Sequence, residues 1–105
     1  MSPTELRADD QPAPTDIVVL RLYIAGEASN SKSALANLKA ICQEYLGDRY
    51  QLEIVDILDE PLRALADGIL VTPTLLKLSP SPVEKIIGNL SEREKVLLAL
   101  GLAAQ

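Results

Sequence analysis

One apolar run constrains the fold of this chain more than any other feature. Segment 17–25 reads Ile-Val-Val-Leu-Arg-Leu-Tyr-Ile-Ala, is rich in β-branched residues, and is closed by Gly26. Because residues on both faces of such a strand are apolar, the run suits a central strand that is covered on both sides. The pattern therefore predicts an α/β domain with helices on the two faces of a sheet.

The segment after Gly26 has the pattern of a long helix. Asn30 or Ser31 is the predicted N-cap, because either side chain can accept a hydrogen bond from the first free amides, and Gly47 is the predicted C-terminal stop. A second apolar run, 50–58, predicts a strand that lies parallel to the first through a right-handed βαβ connection. Apolar residues recur at three- and four-residue steps in the helix, and they are expected to form one buried stripe: Ala34, Leu35, Leu38, Ile41, Cys42, Tyr45 and Leu46.

The second half of the chain predicts a short helix, a hairpin and a last helix. Pro61 suits the first turn of a helix, and strands 74–78 and 83–87 flank the turn-forming Ser-Pro-Ser-Pro segment. Ser91 and Glu94 have the spacing of a capping box. The expected core residues of the two helices are Leu62, Leu65, Ala66 and Ile69, and then Val96, Leu97 and Leu100. The order β-α-β-α-β-β-α is that of a thioredoxin-like domain.

Length and composition leave room for one domain and exclude most catalytic chemistry. The 105 residues predict a single domain over 17–105, preceded by a disordered, proline-containing tail over 1–16. Histidine is absent, which removes the commonest general base and zinc ligand. The net charge of −5 argues against nucleic-acid binding. With no long apolar segment and no apolar leader, we expect a cytoplasmic protein away from the membrane.

The single cysteine argues against redox activity. A thioredoxin-type enzyme needs a thiolate at the start of the first helix, where this chain has only the sulfur-free segment 27–31. Cys42 falls on the apolar stripe instead, so a buried structural thiol is predicted. Thr72-Pro73 stands where thioredoxin-like folds usually carry a cis proline beside the ligand-binding surface, although an ordinary trans proline fits the sequence equally well.

No cofactor is predicted. Four acidic residues, Asp56, Asp59, Glu60 and Asp67, straddle a strand end and a helix start, and their spacing does not resemble a calcium loop. Solvated charge and helix capping explain them better than a metal site does. The residue-level reading thus ends at a redox-inactive, thioredoxin-like binding domain.

Several stretches together resemble the KaiB family of bacterial circadian clock proteins. The similarity runs without a gap from about Leu20 to Leu100, and its most specific part is Ile-Ile-Gly-Asn-Leu-Ser-Glu-Arg-Glu-Lys-Val-Leu over 86–97. The other matching stretches are 20–26, 30–31, 55–58 and 72–75. The N-terminal sensor domain of the histidine kinase SasA is similar as well.

The resemblance implies a non-enzymatic clock or timing regulator. KaiB-like proteins bind the first ATPase ring of the hexameric protein KaiC, displace SasA, and in full clocks sequester KaiA. The family is metamorphic: its resting form is a tetramer with a differently folded C-terminal half, and its partner-binding form is thioredoxin-like. We therefore expect a resting homo-oligomer, tetramer or dimer, and a partner-bound monomer. The alternative is a redox-inactive adaptor for a SasA-like kinase or another signalling partner.

Two sets of site residues are expected: partner-contact residues at one end of the sheet, and fold-switch residues in the second half of the chain. Partner contacts are predicted at Ala28, Ser29, Asn30, Gly68, Ile69, Leu70, Thr72 and Pro73. A fold switch is predicted to involve Pro73, Pro80, Pro82, Gly88, Ala99 and Gly101, because prolines and glycines leave this half ambiguous between helix and strand.

Two departures from the family pattern refine these expectations. Ala99-Leu100-Gly101 replaces the Gly-x-Asp that the family often has, and alanine favours a helix over glycine by about 1 kcal/mol. This predicts a chain that populates the thioredoxin-like form more than a typical relative does. Gln51 and Glu53 stand where a small residue and a lysine are expected at the KaiA-facing edge. The reversed charge makes KaiA a doubtful partner and favours a KaiC-type protein alone.

Overall fold

The computed structural model describes residues 17–102, and its elements follow the predicted order. The tail 1–16 and the last residues of the expected domain, 103–105, lie outside the described residues. The strands are β1 (Val18–Ile24), β2 (Tyr50–Asp56), β3 (Thr74–Ser79) and β4 (Glu84–Ile87), and the helices are α1 (Ser29–Tyr45), α2 (Pro61–Ala66) and α3 (Arg93–Leu100). The β-α-β-α-β-β-α prediction is confirmed.

The four strands form one mixed sheet in the order β2-β1-β3-β4. β1 lies in the interior of the sheet, as its apolar sequence predicts, and pairs in parallel with β2 and antiparallel with β3. Arg21 is directly opposite Glu53 across the first pair, and Tyr23 is opposite Thr74 across the second. β4 pairs antiparallel with β3, so β2 and β4 form the two edges.

Helices cover the sheet unequally. The face under α1 and α3 carries the larger core, in which Leu20, Leu22 and Leu38 are completely or almost completely buried. The opposite face carries a small cluster beneath α2: Tyr23, Val55, Ala64, Ile69 and Leu76. Since side chains alternate along a strand, Val18, Leu20 and Leu22 of β1 point into the larger core, and Tyr23 points into the smaller one.

Both predicted side-chain caps are wrong. α1 begins at Ser29 without a side-chain cap, and Ser31 instead accepts a hydrogen bond from the amide of Ala25 at 3.1 Å. α3 likewise begins without one: its N-cap residue is Glu92, one position after Ser91, and the amide of Ser91 donates to Asn89 Oδ1 at 3.1 Å. In both places a polar side chain, that of Ser31 or Asn89, bonds to the loop that leads into the helix.

The predicted core face of α2 is wrong for Leu62, Leu65 and Ala66, which are exposed, whereas Ile69 just after the helix is buried as predicted. Leu62 is 77% exposed and Leu65 is 69% exposed, whereas Ala64 faces the sheet at 6%. A small residue at this position lets the helix approach the large side chains below it. The two leucines that the helical pattern assigned to the core therefore point away from it.

A left-handed glycine follows each of the three helices, and a left-handed residue also shapes the loop before α3. Gly47 and Gly101 have φ values of 64° and 76° after α1 and α3, the stop that glycine makes inexpensive. Leu90 has φ of 64° although it is not glycine, and its side chain is 5% exposed in the main core. Within residues 17–102, no helix combines the length and apolar character that a membrane span requires.

Candidate docking surface

The two predicted contact segments lie at the same end of the sheet. Segment 28–30 follows the C-terminal end of β1 after a turn at Gly26, and segment 68–73 leads into β3 at Thr74, which is paired with Tyr23 near the end of β1. Residues Ala28, Ser29 and Asn30 are all exposed. The topology therefore brings both segments to one rim of the molecule.

Segment 68–73 is only partly available to a partner. Gly68 is exposed and Leu70 is 91% exposed, whereas Ile69 is 8% exposed and Pro73 is buried. Thr72 is half-buried, and its peptide bond to Pro73 is cis. The buried pair supports the loop from below, so direct contacts are expected from Gly68, Leu70 and Thr72.

Leu70 was predicted as a contact residue, but sequence reasoning missed three other exposed leucines that precede it on the chain. Leu58 lies between β2 and α2 and is 70% exposed, and it joins Leu62, Leu65 and Leu70 on the connection from β2 to β3. We refer to these four residues as the docking surface. Leu62 and Leu65 were predicted to lie in the core and Leu58 to end the second strand, and only the short length of α2 hinted otherwise.

A charge cluster ties α2 to the strands beneath it. The guanidinium of Arg63 donates to both carboxylate oxygens of Glu53, at 2.7 and 2.9 Å, and Arg21 Nε donates a third hydrogen bond to Glu53 at 2.9 Å. Arg21 also donates to Asp67 at 2.9 Å, and the hydroxyl of Tyr23 donates to the same carboxylate. We call Arg21, Glu53, Arg63, Asp67 and Tyr23 the charge cluster.

The pKa values follow from these bonds. Hydrogen bonds from Arg63 and then Arg21 lower the pKa of Glu53 from 4.5 to about 2. The hydrogen bond from Tyr23 lowers the pKa of Asp67, while burial raises the pKa of Tyr23. Both carboxylates are therefore ionised at neutral pH and hold their arginine partners.

The structure offers no thiol at the position that redox chemistry requires. Residues 27–31 at the start of α1 contain no sulfur, and Cys42 is completely buried further along the helix, as predicted. Burial raises the pKa of the Cys42 thiol to about 11. Within the described part of the chain, no three acidic or thiol side chains gather as metal ligands.

The predicted fold-switch residues are spread over the second half of the chain rather than gathered into one site. Pro80 and Pro82 lie in the connection between β3 and β4, and the peptide bonds that precede them are cis. Gly88 follows β4 with φ of 120°, Ala99 lies in α3, and Gly101 ends that helix. Their involvement in a switch stays a prediction.

These features define a class: a thioredoxin-like domain that lacks the redox thiol and exposes apolar residues beside its sheet. The chain belongs to the KaiB family, whose domain model matches residues 21–102. It is 51% identical over 88 residues to "Circadian clock protein KaiB3" of Synechocystis sp., covering 84% of this chain and 86% of that protein. It is 52% identical over 84 residues to "Circadian clock oscillator protein KaiB" of Microcystis aeruginosa, covering 80% and 81%.

Solved structures support the fold. The N-terminal domain of SasA from Synechococcus elongatus superimposes with a TM-score of 0.68 at 18% identity, covering 86% of this chain and 89% of that one. The Drosophila thioredoxin Deadhead gives 0.67 at 14% identity, covering 95% and 90%. The predicted thioredoxin-like fold, which the SasA sensor domain shares, is thus confirmed.

Proposed function

We propose that this protein is a cytoplasmic, non-enzymatic timing regulator. It docks in its thioredoxin-like form on the ATPase ring of a KaiC-type hexamer and modulates the phosphorylation and output signalling of that hexamer. Membership in a family of clock proteins supports the regulatory role. The shared fold with the SasA sensor domain supports competition with a SasA-like kinase for one docking place.

The docking surface is the observation on which this proposal depends. Leu58, Leu62, Leu65 and Leu70 are between 69% and 91% exposed along one connection of the chain. Burying a leucine side chain stabilises a protein or a complex by roughly 1.5–3 kcal/mol relative to leaving it in water. Exposed apolar side chains concentrated on one connection are typical of an interaction surface, and further contacts are proposed for Ala28–Asn30, Gly68 and Thr72.

Native mass spectrometry with a KaiC-type ATPase from the same cells and ATP tests docking directly. We expect ring complexes that carry up to six copies of this chain. The variant Leu65→Asp places a charge in the docking surface and should abolish them. Leu98→Asp is the matched control, because Leu98 is 70% exposed but lies on α3, and it should bind normally.

Other outcomes of this experiment discriminate among partners. Absence of any ring complex after hours of incubation would contradict docking on the KaiC-type ring. A complex with the sensor-bearing kinase alone would instead favour the adaptor function. When all three proteins are mixed, loss of the kinase from the ring as this chain binds would support competition.

KaiA is not proposed as a partner. Glu53 lies on edge strand β2, and its carboxylate is bound by Arg21 and Arg63. A surface that expects lysine at this position would meet a negative charge that already has two partners. A stable ternary complex of KaiA, the KaiC-type ring and this chain would refute this part of the proposal.

The resting state is proposed to be a tetramer or dimer with a differently folded C-terminal half, which dissociates to the monomer on docking. The proline- and glycine-containing half of the chain supports two alternative packings, and Ala99 favours the helical one. Multi-angle light scattering of the free protein measures the oligomer. Backbone chemical shifts over 92–100 distinguish helix from strand, and a strand there would contradict the preference for the thioredoxin-like form.

A further inference from the structure

The helix that carries half of the docking surface has little apolar anchorage. α2 has six residues, and Ala64 is its single buried one. Isolated helices shorter than about 12 residues are marginal in water even with favourable sequences. Something other than core packing must therefore hold α2 in place while Leu62 and Leu65 remain exposed.

The charge cluster provides that attachment. Arg63 in the middle of α2 forms a two-bond contact with Glu53 on β2, and Asp67 just after the helix is bound by Arg21 on β1. Tyr23 lies beneath both, with its hydroxyl 3.3 Å from the carbonyl oxygen of Arg63. Every residue of α2 is thus within four residues along the chain of Arg63 or Asp67, the two side chains that bond to the sheet.

We infer that the charge cluster positions α2, and thereby presents Leu62 and Leu65 to the docking partner. The second half of this inference rests on the proposed function, whereas the first half concerns the free protein alone. Glu53 is the central member, because it accepts bonds from both arginines and separates two positive charges. Without its carboxylate, Arg21 would keep its bond to Asp67 and Arg63 its longer contact of 3.4 Å with Glu60, but the side-chain link from Arg63 to β2 would be lost.

The geometry makes this cluster stronger than a typical surface pair. Arg21 and Asp67 have side chains that are 24% and 29% exposed, and Glu53 is 46% exposed. Single exposed pairs contribute little, but two-bond arginine–carboxylate contacts within a network are the favourable case. The cluster also joins groups that are far apart in sequence, so it fixes the helix relative to both β1 and β2.

Amide hydrogen exchange in the free protein measures this attachment. The amides of Asp67, Gly68 and Ile69 donate to carbonyls of Arg63, Leu65 and Ala64, so their exchange reports opening of α2. In Glu53→Gln, these three amides should exchange about fivefold faster. The amide of Leu46, which donates to Cys42 at the end of α1, should keep its wild-type rate.

Glu44→Gln is the matched control. Glu44 forms an ion pair of 2.7 Å with Arg93 that joins α1 to α3, so this variant removes the same charge from a different place. It should leave the exchange of Asp67, Gly68 and Ile69 unchanged. Glu53→Asp keeps the carboxylate and should restore most of the protection that Glu53→Gln loses. Equal exchange of these amides in Glu53→Gln and Glu44→Gln would overturn the inference.

Docking to the KaiC-type ring supplies the second readout. Glu53→Gln should slow association several-fold, because a loosened α2 presents Leu62 and Leu65 in the correct place for less of the time. Faster α2 exchange with unchanged association would overturn the positioning role. If the wild-type chain does not bind the ring, the proposed function fails, and the exchange experiment still decides whether the cluster holds α2.

Discussion

The burial of Cys42 makes a quantitative prediction about its reactivity. The thiol is completely enclosed in the core beneath α1, and burial raises its pKa from 9.0 to about 11. Two pKa units reduce the thiolate fraction at neutral pH about 100-fold. Because the thiolate is the reacting species, alkylation should be at least about 100-fold slower than in the unfolded chain, before the cost of exposing the sulfur is added.

The assay is intact-mass spectrometry of the protein during incubation with iodoacetamide. The sequence contains one cysteine, so each alkyl group added to a thiol reports the same site. The unfolded reference is the same chain in concentrated urea. Between pH 7 and pH 9, the rate in the folded protein should rise about tenfold per pH unit, as expected for a thiol far below its pKa.

Two results would refute this reasoning. A folded-state rate within tenfold of the unfolded rate would mean that Cys42 is not enclosed as described. A rate that is already high and independent of pH at about pH 6 would indicate a stabilised thiolate. The second result would make a redox role for Cys42 possible again, although the start of α1 contains no sulfur.

Three further variants test the fold and the charge cluster by urea unfolding or docking. The pKa of Glu53 is lowered to about 2, so its contribution to the free energy of unfolding is present above pH 4.5 and is lost as the pH falls from 4.5 towards 2. Because Glu53 is half-exposed, Glu53→Gln should lower the free energy of unfolding by at most about 1 kcal/mol at pH 7. The variant should also lose less stability than the wild type between pH 4.5 and 2. If Glu53→Gln loses as much stability in acid as the wild type does, this reasoning is wrong. Leu38→Ala opens a cavity in the main core and should cost about 2–5 kcal/mol, and a loss under 1 kcal/mol would show that the site collapses. Gly26→Ala places a Cβ 3.0 Å from Leu58 Cδ1 on a residue whose φ is 54°, so the free energy of unfolding should fall by about 1 kcal/mol. The displaced Leu58 side chain should also weaken docking. Unchanged ring binding would argue against a contact by Leu58.

The elements that were predictable from sequence are those in which local pattern and burial agree. Segment 17–25 is apolar on both faces, and β1 lies in the interior of the sheet with a core on each side. The stripe through Leu38 and Ile41 packs as one face of α1. Tyr45 departs from the predicted stripe, because its side chain is 36% exposed, whereas the next and last member, Leu46, is 3% exposed as predicted.

The failures arise where a side chain had more than one partner available. Ser31 and Ser91 are of a residue type that often caps helices. The hydroxyl of Ser31 instead accepts a bond from the amide of Ala25, and the amide of Ser91 donates to the side chain of Asn89. Leu62 and Leu65 have helical spacing, but the helix turns the small Ala64 towards the sheet, so the face that carries both leucines is exposed.

The charge cluster was beyond the reach of sequence reasoning. Glu53 was noted only for the sign of its charge at an edge strand. Its partners Arg21 and Arg63 are 32 and 10 positions away, and only the register of β1 against β2 and the placement of α2 bring them together. Cross-strand register is set by tertiary packing, so no local pattern predicts these contacts.

Leu90 gives the junction between β4 and α3 an energetic bias of its own. A left-handed backbone costs a residue with a Cβ about 1–2 kcal/mol, and here the burial of the leucine side chain compensates for that cost. Any alternative arrangement that returned Leu90 to negative φ would regain this free energy but would have to bury the side chain elsewhere. The segment that joins sheet to helix thus contributes to the stability of this fold relative to any other packing of the same chain.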